Sequence, residues 1–391
     1  MRFALLAVLV SVAAAAQTRT DDLYINPSSL VSSTRLTALA GASVGIAEDV
    51  ESLPFNYAAV AHQWPYQKKR WDAGATLGAL FAPVKSMSDF DNDPSHIRNG
   101  NRVEGQLGVM YQFRRFGMGL VFRSSTRNVC LDTACSTSVS SRELLGGLVI
   151  GYSWLQEQLV IGAGINLVNA NLAAGDAAVD YNGASGGISV LIRPIDQPFR
   201  FGASTYLRAA GTPSSTQPVA GREVFSRVVT PTRVSLGGSW RFGPRAELYN
   251  LPAPTLRQPA LESDEIEALP DPDGQPRGPL LLTAQLDLIF PVSNATTIVA
   301  FLDNGAAVPA GRSFYVVPRV GAEWEFLPYR LRFRLGGWVE PNYVSATNVR
   351  PHVTSGFELK LFHYFWDWSL ASAIDLAPRF LSFALGIGFW H

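Results

Sequence analysis

Long apolar runs are what this chain most plainly lacks. Beyond its N-terminal end no segment approaches the roughly 18 uninterrupted apolar residues of a membrane helix, because Gly, Ser or a charge breaks every apolar stretch. Charge is scarce too: charged residues make up 16% of the chain, and the 32 Lys and Arg cancel the 32 Asp and Glu. A neutral chain with scattered arginines has no basic face, which argues against nucleic acid as a partner. Only five histidines occur, His62, His96, His352, His363 and His391. They lack metal-ligand spacing, and no phosphate-binding loop accompanies them, so no metal or cofactor is expected. The two cysteines, Cys130 and Cys135, stand in "CLDTAC". In an oxidising compartment they would pair to pin a loop; two free thiols are the alternative, and a metal site would lack its other ligands.

What the chain does have is 34 Gly, 25 Pro and 11% aromatics in a sequence that is 47% hydrophobic. That composition suggests many strands and turns. Arg2, the apolar stretch Phe3 to Ala13 and the small residues Ala14-Ala15-Ala16 read as an export signal over 1–16. It is too short to span a bilayer. About 375 residues remain, enough for two ordinary domains or one large barrel.

From Arg70 onward apolar residues alternate with polar or tiny ones, a period of two. Leu107, Val109, Tyr111 and Phe113 alternate with Gln106, Gly108, Met110 and Gln112, and Val234, Leu236, Trp240 and Phe242 with Arg233, Ser235, Ser239 and Arg241. Fourteen such segments can be counted, including 157–170, 184–193 and 279–302. Connections after the second, fourth, sixth, tenth and twelfth are tight; those after the first, third, fifth, seventh, ninth and eleventh are longer and polar. Short turns at one end and long loops at the other are the pattern of an all-β, antiparallel transmembrane barrel of the outer membrane, with both termini at the periplasmic end. Phe113, Phe116, Trp154, Phe201, Trp240, Trp324 and Phe326 flank the short-turn ends as an aromatic girdle. The final strand places Leu381, Phe383, Leu385, Ile387 and Phe389 on one face and ends at His391, where such barrels usually carry Phe or Trp. One connection breaks the rule: 243–278, rich in Pro and acidic residues, should be a mobile periplasmic insertion.

The hairpin at Leu327-Pro328-Tyr329 says something about the lumen. It sets Glu325 opposite Arg332 and Glu323 opposite Arg334, with Trp324 and Phe333 on the other face. Charges on the lipid face are costly, so Glu323, Glu325, Arg332 and Arg334 should point inward, together with Arg233 and Arg241. A salt-bridge ladder is the plainer reading of them, a ligand site the sharper one. Gly147, Val149, Gly151, Val160, Gly162 and Gly164 are inward too, so the lumen is part charged and part apolar. Such an interior suits an amphipathic solute with its head group near the arginines, although packed side chains could fill the barrel equally well.

The N-terminal stretch "SSTRLTALAGASVGIAEDVESLPFNYAAVA" resembles the hatch of the FadL and TodX-like family of outer-membrane transporters for long-chain fatty acids and other hydrophobic compounds. Arg35, Gly41, Ala42, Asp49, Asn56 and Ala58 occupy matching places, and Tyr57 stands where the family usually has Pro. "VPRVGAEWEFLPYRLRFRLGGWVEPNYV", "RPHVTSGFELKLF" and "TPTRVSLGGSWRF" are similar to late strands of the same family. The resemblance implies a fourteen-stranded barrel over 67–391 with an N-terminal plug over 17–66 in its lumen. It also implies that Arg35, Gly41, Asp49, Asn56 and Tyr57 shape the plug. A hydrophobic ligand such as a fatty acid would enter from outside and leave through the wall into outer-membrane lipids. Some relatives, the PorV-like proteins, are instead adaptors of secretion machinery, and the 243–278 insertion would suit a periplasmic or surface protein partner.

An enzyme is the third reading, because Gly41-Ala42-Ser43-Val44-Gly45 fits the Gly-x-Ser-x-Gly pattern of a nucleophilic serine. No strand-to-helix elbow is evident there, and none of the histidines has a catalytic context. A second match at Gly183-Ala184-Ser185-Gly186-Gly187 is what chance delivers in a Gly/Ala/Ser-rich chain. Ser43 is therefore expected to be a small filler of the plug, and no catalysis is expected.

Overall fold

The structure is a computed structural model, and the residues described are 20–25, 33–65, 67–82, 87, 89, 92, 100–130, 138–257, 280–298, 301, 307–344, 348–364 and 366–389. The expected signal at 1–16, Cys135 and His391 lie outside them, as does the side chain of Cys130. The alternating segments do become strands: β1 (Trp71–Phe81), β2 (Gly100–Phe113), β3 (Phe116–Cys130), β4 (Ser138–Trp154), β5 (Leu159–Ala174) and β6 (Ala177–Ile192). β7 (Phe199–Tyr206) continues after a break as Ala209–Pro213, and β8 (Arg233–Phe242) is preceded by Arg227–Thr230. The rest are β9 (Leu280–Ile289), β10 (Tyr315–Leu327), β11 (Leu331–Pro341), β12 (Val349–Tyr364), β13 (Trp366–Ala377) and β14 (Phe380–Phe389). Each pairs antiparallel with its sequence neighbour, and β14 closes on β1 from Phe383 opposite Phe81 to Gly388 opposite Thr76. Fourteen strands thus form a closed barrel without free edges.

Side chains sort by parity along every strand. Leu107, Val109, Leu148, Ile150, Ile165, Leu167, Val320 and Leu335 stand exposed on the outer surface, whereas Gln106, Gln112, Ser239, Gln285 and Arg334 are buried inside. A surface this apolar on a protein with a polar interior is what lipid demands of a barrel. At the short-turn end the aromatics touch in series: Phe199 contacts Trp240, Trp240 contacts Phe242, and Trp324 contacts Phe326.

Three expectations about connections need correction. β5 and β6 stay paired up to Ala174 opposite Ala177, so the fifth connection is a two-residue turn rather than a long loop. Side-chain bonds from Asn169 to Asn182 and from Asn171 to Asp180, both 2.8 Å, join polar positions, of which Asn171, Asp180 and Asn182 read as loop in the sequence. The ninth segment ends at Ile289, not near 302, because the chain turns inward past Phe290 and places Ala295–Thr296 beside a parallel strand, Asp22–Tyr24. That N-terminal strand also pairs in parallel with Arg227 to Val229. Finally, the insertion after β8 is not loose in its described part. Ala246–Asn250 and Pro254–Arg257 form short helices folded under the barrel end, with Tyr249, Asn250 and Ala253 buried. Residues 258–279 lie outside the described set.

Ser33 to Trp64 run inside the barrel and are almost wholly buried. The segment holds one short helix, α1 (Thr34–Ala38), capped by Ser33, and two turns of tighter helix, Val50–Ser52 and Tyr57–Ala61, capped by Asp49 and Asn56. Packing a chain within a closed wall forces close backbone approaches. A Cβ on Gly45 would stand 2.6 Å from the Gly238 Cα in β8. Gly45→Val should therefore destabilise the barrel by about 1–3 kcal/mol, measured as a lower denaturant midpoint of the detergent-solubilised protein; an unchanged midpoint would show that this approach is not tight.

Candidate functional site

Two features of the interior carry the chemistry: a buried chain of charges around the internal segment, and an apolar cavity beside it. The first follows from geometry. A backbone inside a barrel must bond its polar groups to the inward side chains of the wall. Gln285 of β9 accepts the Ser43 and Val44 backbone N–H groups at 3.0 and 2.9 Å, and Arg319 of β10 donates to the Ala40 carbonyl at 2.8 Å. Thr283, Thr354 and Ser239 donate to the Ala42, Ala38 and Gly45 carbonyls. Strands on several sides of the barrel therefore grip one short segment.

The charges extend that grip. Arg35, on α1, contacts Glu48 at 3.0 Å, Asp49 at 2.9 Å and Glu323 of β10 at 3.2 Å. Glu48 also meets Arg200 of β7 at 2.8 Å, and Glu323 meets Arg334 of β11 at 2.8 Å. Arg334 then bonds Glu358 of β12, which Arg332 approaches at 3.8 Å. The result is one line of alternating charge across the lumen, from β7 through the internal segment to β12. Burial alone would raise the Glu48 carboxyl, but Arg200 and Arg35 hold it below the usual carboxylate range. For Glu51 the balance goes the other way: burial, with Asp49 and Glu358 adding repulsion, outweighs the Arg334 charge and pushes it up to about 7.

Most of the residues singled out in the sequence fall on this framework. Glu323 faces Arg334 and Glu325 faces Arg332 in the β10–β11 register, as the hairpin reading requires. Glu323, Arg332 and Arg334 join the charge line, and Arg241 approaches Glu48 at 3.9 Å. Glu325 is apart from it: it is half-buried and accepts the Tyr329 backbone N–H at the rim. Gly41 has φ +77°, and a Cβ there would crowd the Arg319 guanidinium at 2.9 Å. Asn56 caps the second tight helix by accepting the Ala58 N–H at 2.9 Å and donates to the Val44 carbonyl at 2.7 Å. Tyr57 packs edge-on to Tyr206 and donates its hydroxyl to Asn166.

Several residues were not singled out. Glu48, beside Asp49, is the acid that links Arg35 to Arg200. Arg200 also donates to Asn250 Oδ1 at 2.8 Å and to the Tyr249 carbonyl at 2.7 Å, and lies 3.6 Å over the Tyr249 ring. Arg193 and Glu157, both buried, pair at 3.3 Å, and Arg193 donates to the Leu251 carbonyl. These arginines draw the start of the 243–278 insertion under the barrel. Inward parity in "FRFG" was the available signal for Arg200.

Ser43 sits in a buried turn within the barrel, not on an elbow between strand and helix. Neither His62 ring nitrogen has a hydrogen-bond partner, and burial, followed by the Arg193 charge, holds that imidazole well below its usual pKa and neutral. The pair has none of the geometry of a nucleophile and its base.

The second feature is a cavity of about 90 Å³ lined largely by apolar groups, among them Pro54, Tyr57, Val121, Leu145, Val168 and Leu207. Two arginines, Arg123 and Arg233, are its charged members; Arg233 lies 4.8 Å over the Phe55 ring and 4.6 Å over Tyr206, and donates to the Pro54 carbonyl at 3.0 Å. The cavity meets the wall where regular pairing lapses, because β7 pauses between Tyr206 and Ala209 and β8 between Thr230 and Arg233. Leu207 lines the cavity and is 55% exposed on the protein surface. Towards the long-connection end, a packed apolar cluster including Leu23, Tyr181, Phe225, Val228 and Phe301 covers the interior. The opposite end is underlain by Tyr249.

Replacing Arg35 with Met should cost about 3–5 kcal/mol, because it strands Glu48, Asp49 and Glu323 without their shared cation. Equilibrium unfolding gives the energy, and ion conductance in planar bilayers should rise as the segment loosens; unchanged stability and conductance would show that the charge line does not hold it.

No protein-family model matches the sequence, and no curated protein does either. Solved structures do match. The chain is similar to the crystal structure of a Pseudomonas aeruginosa FadL homologue, at TM-score 0.56 and 11% identity, over 92% of this chain and 98% of that one. It is similar also to the P. putida toluene transporter TodX, at TM-score 0.55 and 12% identity, over 91% of this chain and 97% of that one. At such identities the likeness is one of architecture: the chain has the FadL/TodX-like β-barrel fold.

Proposed function

We propose that the protein is an outer-membrane channel for hydrophobic or amphipathic small molecules, long-chain fatty acids among them. The observation that carries this reading is the apolar cavity at a lapse in the barrel wall, within a fold shared with a toluene transporter. Residues 17–66 act as its plug. Arg35, Asp49 and Asn56 fix the plug's shape, Gly41 allows its tightest turn, and Tyr57 forms one side of the solute's cavity.

The physical case is a matching of surfaces. An apolar solute gains about 25 cal/mol for each Å² it removes from water, and this cavity offers largely apolar walls with two guanidinium groups, Arg123 and Arg233. Arg233 would face a carboxylate or another acceptor head group, while Val121, Leu145 and Val168 take the tail. The exposed side of Leu207 marks where the solute would pass into lipid, since only two short interruptions need to widen there. The plug and the Tyr249 floor keep water and ions from following.

The test is saturable binding of toluene and of a long-chain fatty acid to the purified full-length protein, followed by titration calorimetry. Ser185 lines the cavity, and Ser185→Leu should weaken binding about tenfold by occupying part of it, with the heat-modifiable gel mobility of a folded barrel unchanged. Failure of both ligands to bind the wild type would overturn the reading.

A further inference from the structure

We propose that the protein carries a binding site for the head group of an anionic phospholipid at its short-turn rim, built by Lys69, Arg114 and Arg115. The proposal rests on the reading of the barrel as membrane-spanning, and it adds a partner that the channel reading does not need.

The three cations come together through strand pairing. Lys69 precedes β1, and Arg114 and Arg115 form the turn between β2 and β3. The Arg114 backbone N–H donates to the Arg70 carbonyl at 2.7 Å, which ties the start of β1 to that turn. All three side chains are exposed, and among the described residues no carboxylate pairs with any of them. Elsewhere on this rim Lys360 is satisfied by Asp367 at 2.5 Å. Lys68 and Arg70 add charge beside them, and Asp72 is the one acid close in sequence.

The turn is fixed rather than adaptable. Arg114 has φ 51°, a left-handed conformation that two-residue hairpins normally give to Asn or Gly. That conformation costs an arginine more than it would cost glycine. The interior pins it: the Gln63 side chain donates to the Arg114 carbonyl, and the Ser153 backbone N–H donates to the Arg115 carbonyl at 2.9 Å. Two arginines are thereby displayed on a turn held by hydrogen bonds on both sides.

What lies next to them identifies the partner. Trp71 pairs with Phe113, Phe113 with Phe116, and Phe116 with Tyr152, an aromatic row across four strands. All four are exposed on the outer surface, as rings at a bilayer interface are. Lys69 Nζ lies 5.5 Å from the Trp71 ring centre and the Arg114 guanidinium 5.7 Å from that of Phe113. Cations set against interfacial rings sit at head-group depth, where a phosphate can bridge them while its acyl chains run along the apolar wall. Arginine favours this ligand because its planar fork matches phosphate oxygens.

The experiment is native mass spectrometry of the full-length protein released from nanodiscs of mixed phosphatidylglycerol and phosphatidylcholine. Wild type should retain phosphatidylglycerol in preference to phosphatidylcholine, and Lys69→Gln/Arg114→Gln/Arg115→Gln should lose about tenfold or more of that preference. Lys69→Arg alone should keep it. Equal retention by wild type and the triple variant would overturn the proposal, as would displacement of the lipid by millimolar inorganic phosphate, which would mark a site for the free anion. Heat-modifiable mobility and toluene binding, followed in the same samples, separate failure of this site from failure of the barrel or channel reading.

Discussion

The structure depends on one ion-paired residue, Glu48, placed at the centre of the lumen with Arg35 on one side and Arg200 on the other. The side chains of this fourteen-stranded wall do not fill the barrel by themselves, as residues 33–64 lie buried within it. This chain fills it with a second layer of polypeptide, whose backbone groups and charges must then be satisfied without bulk water. The wall supplies the partners: Gln285, Arg319, Thr283, Thr354 and Ser239 for the backbone, Arg200, Arg334 and Glu323 for the charges. A buried ion pair gives little net stability compared with a well-packed apolar substitute. Its value here is placement, because one register of the segment pairs Arg35, Glu48 and Asp49, and a slipped one strands them.

That division of labour explains why the apolar cavity lies where it does. The charge line occupies the side of the lumen from β10 to β12 and crosses to β7. The quadrant from β3 to β6 carries Gly147, Val149, Gly164 and Val168, which need no partners. Tyr57 marks the border, its ring against Tyr206 and its hydroxyl on Asn166. A solute held there meets largely apolar walls with Arg123 and Arg233, and the adjoining wall is the stretch where β7 and β8 lose regular pairing.

Much of this was legible in the sequence. Period-two alternation reveals strands directly, since lipid outside and packing inside impose opposite chemistry on successive residues. The β10–β11 register was readable because Glu323, Glu325, Arg332 and Arg334 can pair in only one way around Pro328. Elements that obey no period were harder. Asn171, Asp180 and Asn182 look like loop residues, yet with Asn169 they extend a hairpin through side-chain bonds beyond the apolar band. Tyr249 and Asn250 looked like part of a solvated linker, because their burial depends on Arg200, some fifty residues away. Glu48 was overlooked beside Asp49; sequence alone does not say which of two adjacent acids faces an arginine on a distant strand. No periodicity marks the Arg114–Arg115 turn either, and its meaning lies in a positive φ and the neighbouring rings.

The most direct test of the account is the position of a bound hydrophobic solute. A crystal structure with a fatty acid brominated on its tail would locate the bromine by anomalous scattering. The account predicts bromine inside the barrel, between Tyr57, Val121 and Leu145, with the carboxylate towards Arg233. Bromine found only on the outer surface among detergent, with the cavity unchanged, would contradict it.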